Sequence, residues 1–326
     1  MVQTLDVELP SEAPPAPPIE RRGDRIFRWL TTGTGLAVTI LLLIVTVFLL
    51  GKAWPALHKG GLHFFTEQQW FPDADHPKFG VAVLVFGTVL SSVIALALAV
   101  PVAIGSALYV SEYAGPAAGR IVGWLVELLA AVPSVVFGLW GLLFLVPRIV
   151  PLSRWLSHHL GFIPIFKNPT NQYLQSMLAA GVVLALMVLP IVAAVTREVF
   201  AQVPRELREA SLGLGATRWE MIRMVVFPFG RNGMIGAVVL GLGRALGETI
   251  AIALVLAATY KINFHITEPG GNTIAANIAT KFGEAGATGR SALVASGLLL
   301  FAITLVVTVL ARRVVTRQAR LAEGHP

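Results

Sequence analysis

Cysteine is absent from this sequence and charge is scarce, since only 13% of its 326 residues are Asp, Glu, Lys or Arg. The absence of cysteine excludes disulfide bonds, iron–sulfur clusters and thiol catalysis. Hydrophobic residues instead occupy 55% of the positions, and the mean hydropathy is strongly positive. Because a soluble protein cannot bury so much apolar surface, the composition predicts that most of the chain lies in lipid.

Long runs without charge mark the segments that can cross a membrane, since a span needs about 20 predominantly apolar residues. Four such windows contain no charged residue: 29–51, 79–111, 168–196 and 291–311. Window 121–147 contains only Glu127, and window 232–260 contains only Arg244 and Glu248. The sequence therefore predicts an all-α membrane protein with six transmembrane helices.

The two ends of the chain differ in composition from these windows. The N-terminal stretch "SEAPPAPPIE" is rich in Pro and Glu, and such a segment cannot bury apolar surface. We expect a disordered cytoplasmic tail over residues 1–25, a six-helix membrane domain over residues 26–317, and a cytoplasmic tail over residues 318–326. The first window is too long for the apolar core of a cleaved signal peptide, so we expect it to remain in the mature protein.

The distribution of Lys and Arg predicts the orientation of the chain. With the N-terminus inside, nine of these residues lie in the outer segments 52–78, 148–167 and 261–290. Fifteen lie in the inner segments 21–28, 120, 197–231 and 312–320. Since cytoplasmic loops carry the excess of basic residues, both termini are predicted to be cytoplasmic.

The stretch "GLGRALGETIAIAL", residues 241–254, places two charges inside an apolar window. At helical spacing Arg244 and Glu248 share one face with small residues such as Gly241. One interpretation is a packing seam with an internal ion pair. However, each charge in a membrane costs roughly 2.5 to 3.5 kcal/mol, and a pair that only neutralises itself could be replaced by apolar residues. A water-filled route for an anion such as phosphate explains both better, because Arg offers a fixed fork of donors to an oxyanion.

Glu127 is the third charge inside a predicted span, and Pro133 follows it in "VELLAAVPSVVFGLWG". Proline interrupts the hydrogen bonds of a helix, and such breaks persist at membrane depth where protein or a cavity covers them. Glu127 therefore suits a translocation role, and it suits equally well an interfacial or capping position near the start of the span.

Two other sequence patterns resemble ligand-binding motifs but do not predict a binding site. "GLGRALG" is not a nucleotide-binding loop, because no strand precedes it and the lysine of a phosphate-binding loop is missing. His158 and His159 are adjacent, which is poor spacing for two metal ligands on one face. We expect the chain itself to bind no metal, no nucleotide and no other cofactor.

Between the fourth and fifth windows, residues 197–230 form a long polar segment. Arg and Glu alternate there with apolar residues at helical spacing, and Gly213 and Gly215 divide the segment into two short amphipathic pieces. Such a segment is either a solvated connector or a short helix that docks in a groove of a partner.

This segment resembles the EAA loop of bacterial ABC-importer permeases. In that loop Glu-Ala-Ala is followed by Gly and then by an aliphatic residue, any residue and Leu-Pro, and the same spacing occurs here at Glu209, Ala210, Ser211, Gly215 and Val225–Pro228. Ser and Phe replace the second Ala and the Leu. The resemblance implies a coupling helix near residues 200–220, with Glu209, Ala210 and Gly215 in the contact with an ATPase subunit.

Most of the chain, from about residue 25 to 317, is similar to the PstC family of phosphate-importer permeases. The stretches that carry this resemblance are "SEYAGPAAGR", "ELLAAVPSVVFGLWG", "GLGRALGETIA" and "GNTIAANIATKFGEA". It implies the type I importer fold in a bacterial cytoplasmic membrane, and phosphate translocation past Arg244 and Glu248. It also implies three protein partners: the sibling permease PstA, the ATPase dimer PstB, which binds ATP and Mg, and the phosphate-binding protein PstS.

Two alternatives stay open at the level of the residues. A proton-coupled secondary carrier would use Arg244 and Glu248 equally well, although no counterpart of "GRALGETI" occurs in the first half, as the inverted repeats of such carriers would require. An ABC permease for sulfate, molybdate or phosphonate is the other alternative, because the binding protein carries most of the substrate choice in that class.

Overall fold

The computed structural model describes residues 22–323, without the side chains of Arg22, Pro116 and residues 314–323. The predicted disordered tail lies outside the described residues as far as residue 21, and its last four residues begin the first helix. The last helix continues to Glu323, past the boundary predicted at residue 317. The chain divides into two compact units between Phe48 and Leu49.

Helices make up most of the described chain. They are α1 Arg22–Gly60, α2 His63–Thr66, α3 Ala82–Leu108, α4 Pro116–Ala131, α5 Ser134–Trp140, α6 Val146–Leu160, α7 Met177–Ala201, α8 Arg205–Gly213, α9 Arg218–Met221, α10 Phe227–Leu246, α11 Ile250–Val255, α12 Ile274–Lys281 and α13 Ala287–Glu323. Two short strands, β1 Trp70–Phe71 and β2 Lys78–Phe79, pair in antiparallel orientation.

Wider π-helical turns extend or connect several of these helices. Tyr109–Tyr113 continues α3, Gly141–Leu145 joins α5 to α6, and Ile222–Val226 joins α9 to α10. A single 3₁₀ turn, Pro164–Phe166, lies between α6 and α7. The π turns make long continuous helices out of elements that are short when taken separately.

Six helices in the described part of the chain are long and apolar enough to cross a membrane, which confirms the predicted number. They are Gly23–Gly60, Ala82–Tyr113, Ser134–Leu160, Met177–Ala201, Arg218–Leu246 and Ala287–Arg313. All six overlap the windows predicted from charge, and four of them cover most of their window. The third and the fifth differ from their windows in a way that matters for the candidate site.

The predicted third span, 121–147, is wrong because the helix breaks in its middle. Val132 and Pro133 have extended backbones with ψ of 128° and 141°. Proline has no N–H to donate, and it pushes the preceding residue out of the helical region. Glu127 consequently lies on the separate helix α4, and the long apolar helix begins only at Ser134.

The predicted fifth span, 232–260, is displaced along the chain. The helix begins at Arg218 and α10 ends at Leu246, so its first half contains the charged residues that the window excluded. Gly247 ends α10, and Thr249 precedes the short helix α11. The spacing of Arg244 and Glu248 predicts that both lie on one continuous helix, and the structure shows that they do not.

Helix α7 lies at the centre of the main apolar cluster and packs against both α3 and α10. Glycines permit these close approaches. A Cβ atom at Gly181 would lie 2.3 Å from the Ile94 side chain of α3, and one at Gly241 would lie 2.8 Å from both Val188 and Val192 of α7. Small residues thus let α10 pack directly on α7, as is common among membrane helices.

Candidate functional site

The packing of α10 on α7 places Arg244, in the last turn of α10, level with the middle of α7. Gly241 contacts Val188 and Val192, which lie on either side of the midpoint of α7. Arg244 follows Gly241 by about one helical turn. A charge at this depth is far from either end of α7.

Arg244 and Glu248 form an ion pair across the break that ends α10. Arg244 Nη2 lies 3.8 Å from Glu248 Oε2, and the two side chains are 41% and 6% exposed. The backbone N–H of Ala251 in α11 donates to Glu248 Oε1 over 3.4 Å. The carboxylate is therefore buried between the arginine and the first turn of α11.

The guanidinium of Arg244 keeps donors for another acceptor. Strong charge-assisted hydrogen bonds measure roughly 2.7 to 2.9 Å, so a contact of 3.8 Å to Glu248 is a loose one. No hydrogen bond within 3.5 Å reaches this guanidinium from the described residues. The group is held near a carboxylate, but it can still present its planar fork to an oxyanion.

The packing seam and the charge lie on different sides of α10. Gly241 faces α7, whereas Gly243 and Arg244 line an open cavity of about 700 Å³. The cavity extends along α10 as far as Asn232, a distance of about 18 Å at 1.5 Å per residue, and Arg312 of α13 also lines it. The guanidinium therefore faces an open cavity and is not enclosed in the packing seam, although apolar side chains form most of the lining of that cavity.

Glu127 is not brought together with Arg244 and Glu248. Its carboxylate accepts from Arg197 Nη2 over 3.1 Å and is 64% exposed. Arg197 lies in the last turns of α7, about 12 Å along that helix from its midpoint. This position fits the interfacial interpretation of Glu127, near the end of the span that leads to α8.

The predicted coupling residues all lie on the exposed segment formed by α8 and α9. Glu209, Ala210 and Gly215 are exposed. Gly215 has a φ of +87°, which only glycine adopts without strain. Thr217 and Glu220 form a reciprocal capping box at the start of α9. The predicted division at Gly213 and Gly215 is present, but only α8 is a short helix, because α9 continues through the π turn into α10.

Sequence reasoning missed a buried ion pair beneath α8. Arg208 Nη2 donates to Glu112 Oε1 over 3.0 Å and to the Phe200 carbonyl over 2.6 Å. The side chains of Arg208 and Glu112 are 20% and 6% exposed. The sequence offered only one indication of this pair, the position of Glu112 directly after the charge-free window that ends at residue 111. Its partner Arg208 lies 96 residues further along the chain.

A second missed cluster lies in the loop between α11 and α12. The buried carboxylate of Glu268 accepts from the Asn263 side chain and contacts His265 Nδ1 at 3.2 Å. Burial raises the pKa of Glu268, but the hydrogen bonds from Asn263, Thr170 and His265 outweigh it, and the pKa is lowered overall. The carboxylate ties this loop to the segment before α7.

Comparison with known proteins places the chain among membrane transport components. Residues 99–320 match the family model described as binding-protein-dependent transport system inner membrane component. The phosphate transport system permease protein PstC 2 of Mycobacterium tuberculosis is 42% identical over 300 residues, which cover 90% of this chain and 92% of that protein. The PstC protein of Xylella fastidiosa is 39% identical over 311 residues, 94% of each chain.

Similarity to a solved structure shows the fold independently of these relatives. A chain in the crystal structure of a bacterial ABC transporter involved in the import of the acidic polysaccharide alginate matches with a TM-score of 0.59. The match is 18% identical in sequence and covers 91% of this chain and 99% of that chain. The predicted fold class, a helical ABC-importer permease, is therefore confirmed.

Proposed function

Because this chain belongs to the family of binding-protein-dependent transport system inner membrane components, we propose that it is the permease subunit of an ATP-driven importer of inorganic phosphate. The family makes it a multi-pass membrane protein and a transport subunit rather than an enzyme. It also implies an ATPase and an external binding protein as partners. The observation that carries the proposal is the partly exposed guanidinium of Arg244, which lies level with the middle of α7.

Phosphate is the substrate that the relatives and the site chemistry support together. Both relatives are named as phosphate permeases, and the planar fork of Arg244 matches the oxygens of a tetrahedral anion. Glu248 neutralises part of the arginine charge across 3.8 Å. Phosphate is then held weakly and passes on, whereas a tight site would trap it.

Glu248 has a second role towards a substrate that carries a proton. Its carboxylate is only 6% exposed and does not line the cavity, so it acts through its charge: an oxyanion at Arg244 that keeps a proton carries less negative charge and is repelled less. Arg244 attracts any oxyanion, so the carboxylate beside it supplies the discrimination. Proton release is not required in this scheme, because the phosphate keeps its proton throughout the passage.

The remaining parts of the transporter are proposed from the family. A sibling permease of the PstA type forms the other half of the pathway, and both termini of this chain are cytoplasmic. A PstS-type binding protein delivers phosphate on the outside. Two PstB-type ATPase subunits bind ATP and Mg and contact Glu209, Ala210 and Gly215. Their closure rocks the spans from an outward-facing to an inward-facing arrangement.

The experiment that tests the function is uptake into liposomes. The chain is purified with the subunits that copurify, reconstituted, supplied with a phosphate-binding protein, and assayed with radiolabelled phosphate in the presence and absence of ATP. We expect uptake that requires ATP and resists excess sulfate. Uptake driven by a proton gradient without ATP would contradict the proposal and identify a secondary carrier.

A further inference from the structure

Arg208 fastens the exposed helix α8 to two other segments of the chain. Through Nη2 it contacts Glu112, in the π turn that continues α3, and the carbonyl oxygen of Phe200, in the last turn of α7. Ser111 Oγ donates to the same Glu112 oxygen over 2.8 Å. One buried guanidinium thus joins α8 to the ends of α3 and α7.

Helix α8 has few apolar side chains that could hold it against the rest of the protein. The buried cluster at this end of the protein is built from residues of the π turns, the ends of α3 and α7, and α9, including Ala107, Phe200, Met221 and Ile222. Within the described chain no residue of α8 belongs to that cluster. Both leucines of α8 are close to half exposed. The most buried charged contact of α8 is therefore the pair between Arg208 and Glu112.

The two anchored helices lead to the candidate translocation site. Helix α3 packs along α7, where Ile94 meets Gly181. Helix α7 in turn packs on α10 at Gly241, one turn before Arg244. A displacement applied at α8 therefore has a continuous packed path to the guanidinium, provided that α8 moves together with α3 and α7.

We propose that Arg208 and Glu112 are positioning residues that make α8 move as one body with α3 and α7, so that ATPase closure is converted into movement at Arg244. This inference rests on the proposed function, because only in an ATP-driven transporter does closure of the ATPase subunits move α8. Neither residue touches the transported ion. Their role is to keep hydrolysis and transport in a fixed ratio, and their loss uncouples the two.

The first arm of the test measures transport per ATP hydrolysed. Arg208→Met and Glu112→Gln are compared with the wild type in the reconstituted full transporter, with Arg208→Lys as the conservative variant and Arg223→Met, a change at an exposed arginine, as the matched control. We expect phosphate moved per ATP to fall at least tenfold in the first two variants while ATP hydrolysis stays within threefold. Arg208→Lys should retain at least half of the ratio, and Arg223→Met should match the wild type.

The result that overturns the inference is an unchanged ratio of phosphate to ATP in Arg208→Met and Glu112→Gln. A proportional loss of hydrolysis and transport overturns it as well, because a purely structural support would lower both together. Copurification of the ATPase with each variant distinguishes failure of assembly from uncoupling.

The second arm needs no transport and therefore separates this inference from the proposed function. The natural absence of cysteine allows spin labels to be placed at Glu206→Cys on α8 and Val102→Cys on α3, both at exposed positions. We expect a narrow distribution of label distances in the otherwise wild-type protein and one at least twice as broad with Arg208→Met. Equal widths overturn the inference. Broadening in a protein that takes up no phosphate leaves the link intact and refutes the proposed function.

Discussion

Arg244 and Glu248 form their contact across a helix break, which gives each side chain a different environment. Arg244 lies at the end of α10 beside an open cavity, whereas Glu248 is buried against the start of α11. A straight helix would have exposed both side chains on one face. The break lets the carboxylate orient the guanidinium while the guanidinium remains accessible.

Glu268 predicts a pH dependence of stability at the loop between α11 and α12. Its pKa in the folded protein is below the ordinary value of 4.5 because Asn263, Thr170 and His265 stabilise the charged form. The stabilisation is fully present above pH 4.5 and is lost as the pH falls through the lowered folded pKa. We expect the midpoint of thermal unfolding to drop when the pH is lowered from 6 to 3.

Glu268→Gln provides the comparison for that titration. Gln retains the size of the side chain and loses the charge, so the part of the drop between pH 6 and 3 that comes from this residue should disappear. If the variant and the wild type lose stability in parallel over this range, other carboxylates are responsible and the assignment to Glu268 is wrong.

The residues that the sequence singled out and those it missed differ in one physical respect. Arg244 and Glu248 are conspicuous because charge is costly in an apolar run. Arg208 and Glu112 sit in polar segments at the ends of spans, where charges are ordinary, and only folding brings them within 3.0 Å. The charges inside an apolar run, Arg244 and Glu248, could therefore be predicted from the sequence. The pair of Arg208 and Glu112 could not, because its members are far apart in the sequence.

At the scale of elements, the turn between α8 and α9 depends on one glycine. Gly215 has a φ of +87°, and a Cβ there would meet nothing within 4 Å, so the effect of Gly215→Ala comes from the backbone alone. An L residue in this region costs about 1 to 2 kcal/mol. We expect weaker copurification of the ATPase, and a pull-down from solubilised membranes measures it.

Gly213→Ala is the matched control for that experiment. A Cβ at Gly213 also meets nothing within 4 Å, and its backbone is helical. Gly213→Ala should leave copurification unchanged or slightly improved. Equal losses in the two variants would show that the turn conformation is not what the partner requires.

The contact between α7 and α10 provides a second test at this scale. In Gly241→Ala the added methyl group would lie 2.8 Å from Val188 and Val192, and overpacking of this kind costs about 1 to 3 kcal/mol. Gly236→Ala, on the same helix with open space around it, is the control. We expect a lower thermal unfolding midpoint for the detergent-solubilised Gly241 variant alone, and equal midpoints in the two variants would contradict the packing.

Element boundaries were predictable only where apolar runs and helices coincide. Counting windows with no more than two charges gave six spans, and the described part of the chain contains six suitable helices. The count of charges failed at Pro133, where the helix breaks inside an apolar run. It failed again at Arg218, where a helix that packs on α7 continues through charged residues. The backbone chemistry of proline, which a count of charges ignores, decides the first case, and tertiary packing decides the second.

At the scale of the whole molecule, packed helices connect the exposed segment formed by α8 and α9 to the charge of Arg244, which lies level with the middle of α7. Helix α8 is anchored by Arg208, α3 and α7 pack on each other, and α10 carries Arg244 against α7. The resemblance of residues 197–230 and of 241–251 to the same permease family predicted both ends of this path from the sequence. The connection between the ends became visible only in the structure.

The most direct test of the central claim is ATP-dependent phosphate uptake by Arg244→Gln in liposomes that contain the full transporter. Gln keeps polar contacts but has no charge, so we expect uptake to fall at least a hundredfold, about 2.7 kcal/mol, while the subunits still assemble and Arg223→Met transports normally. Arg244→Lys should recover part of the activity, because it restores charge without the planar fork. Normal uptake by Arg244→Gln would contradict the account.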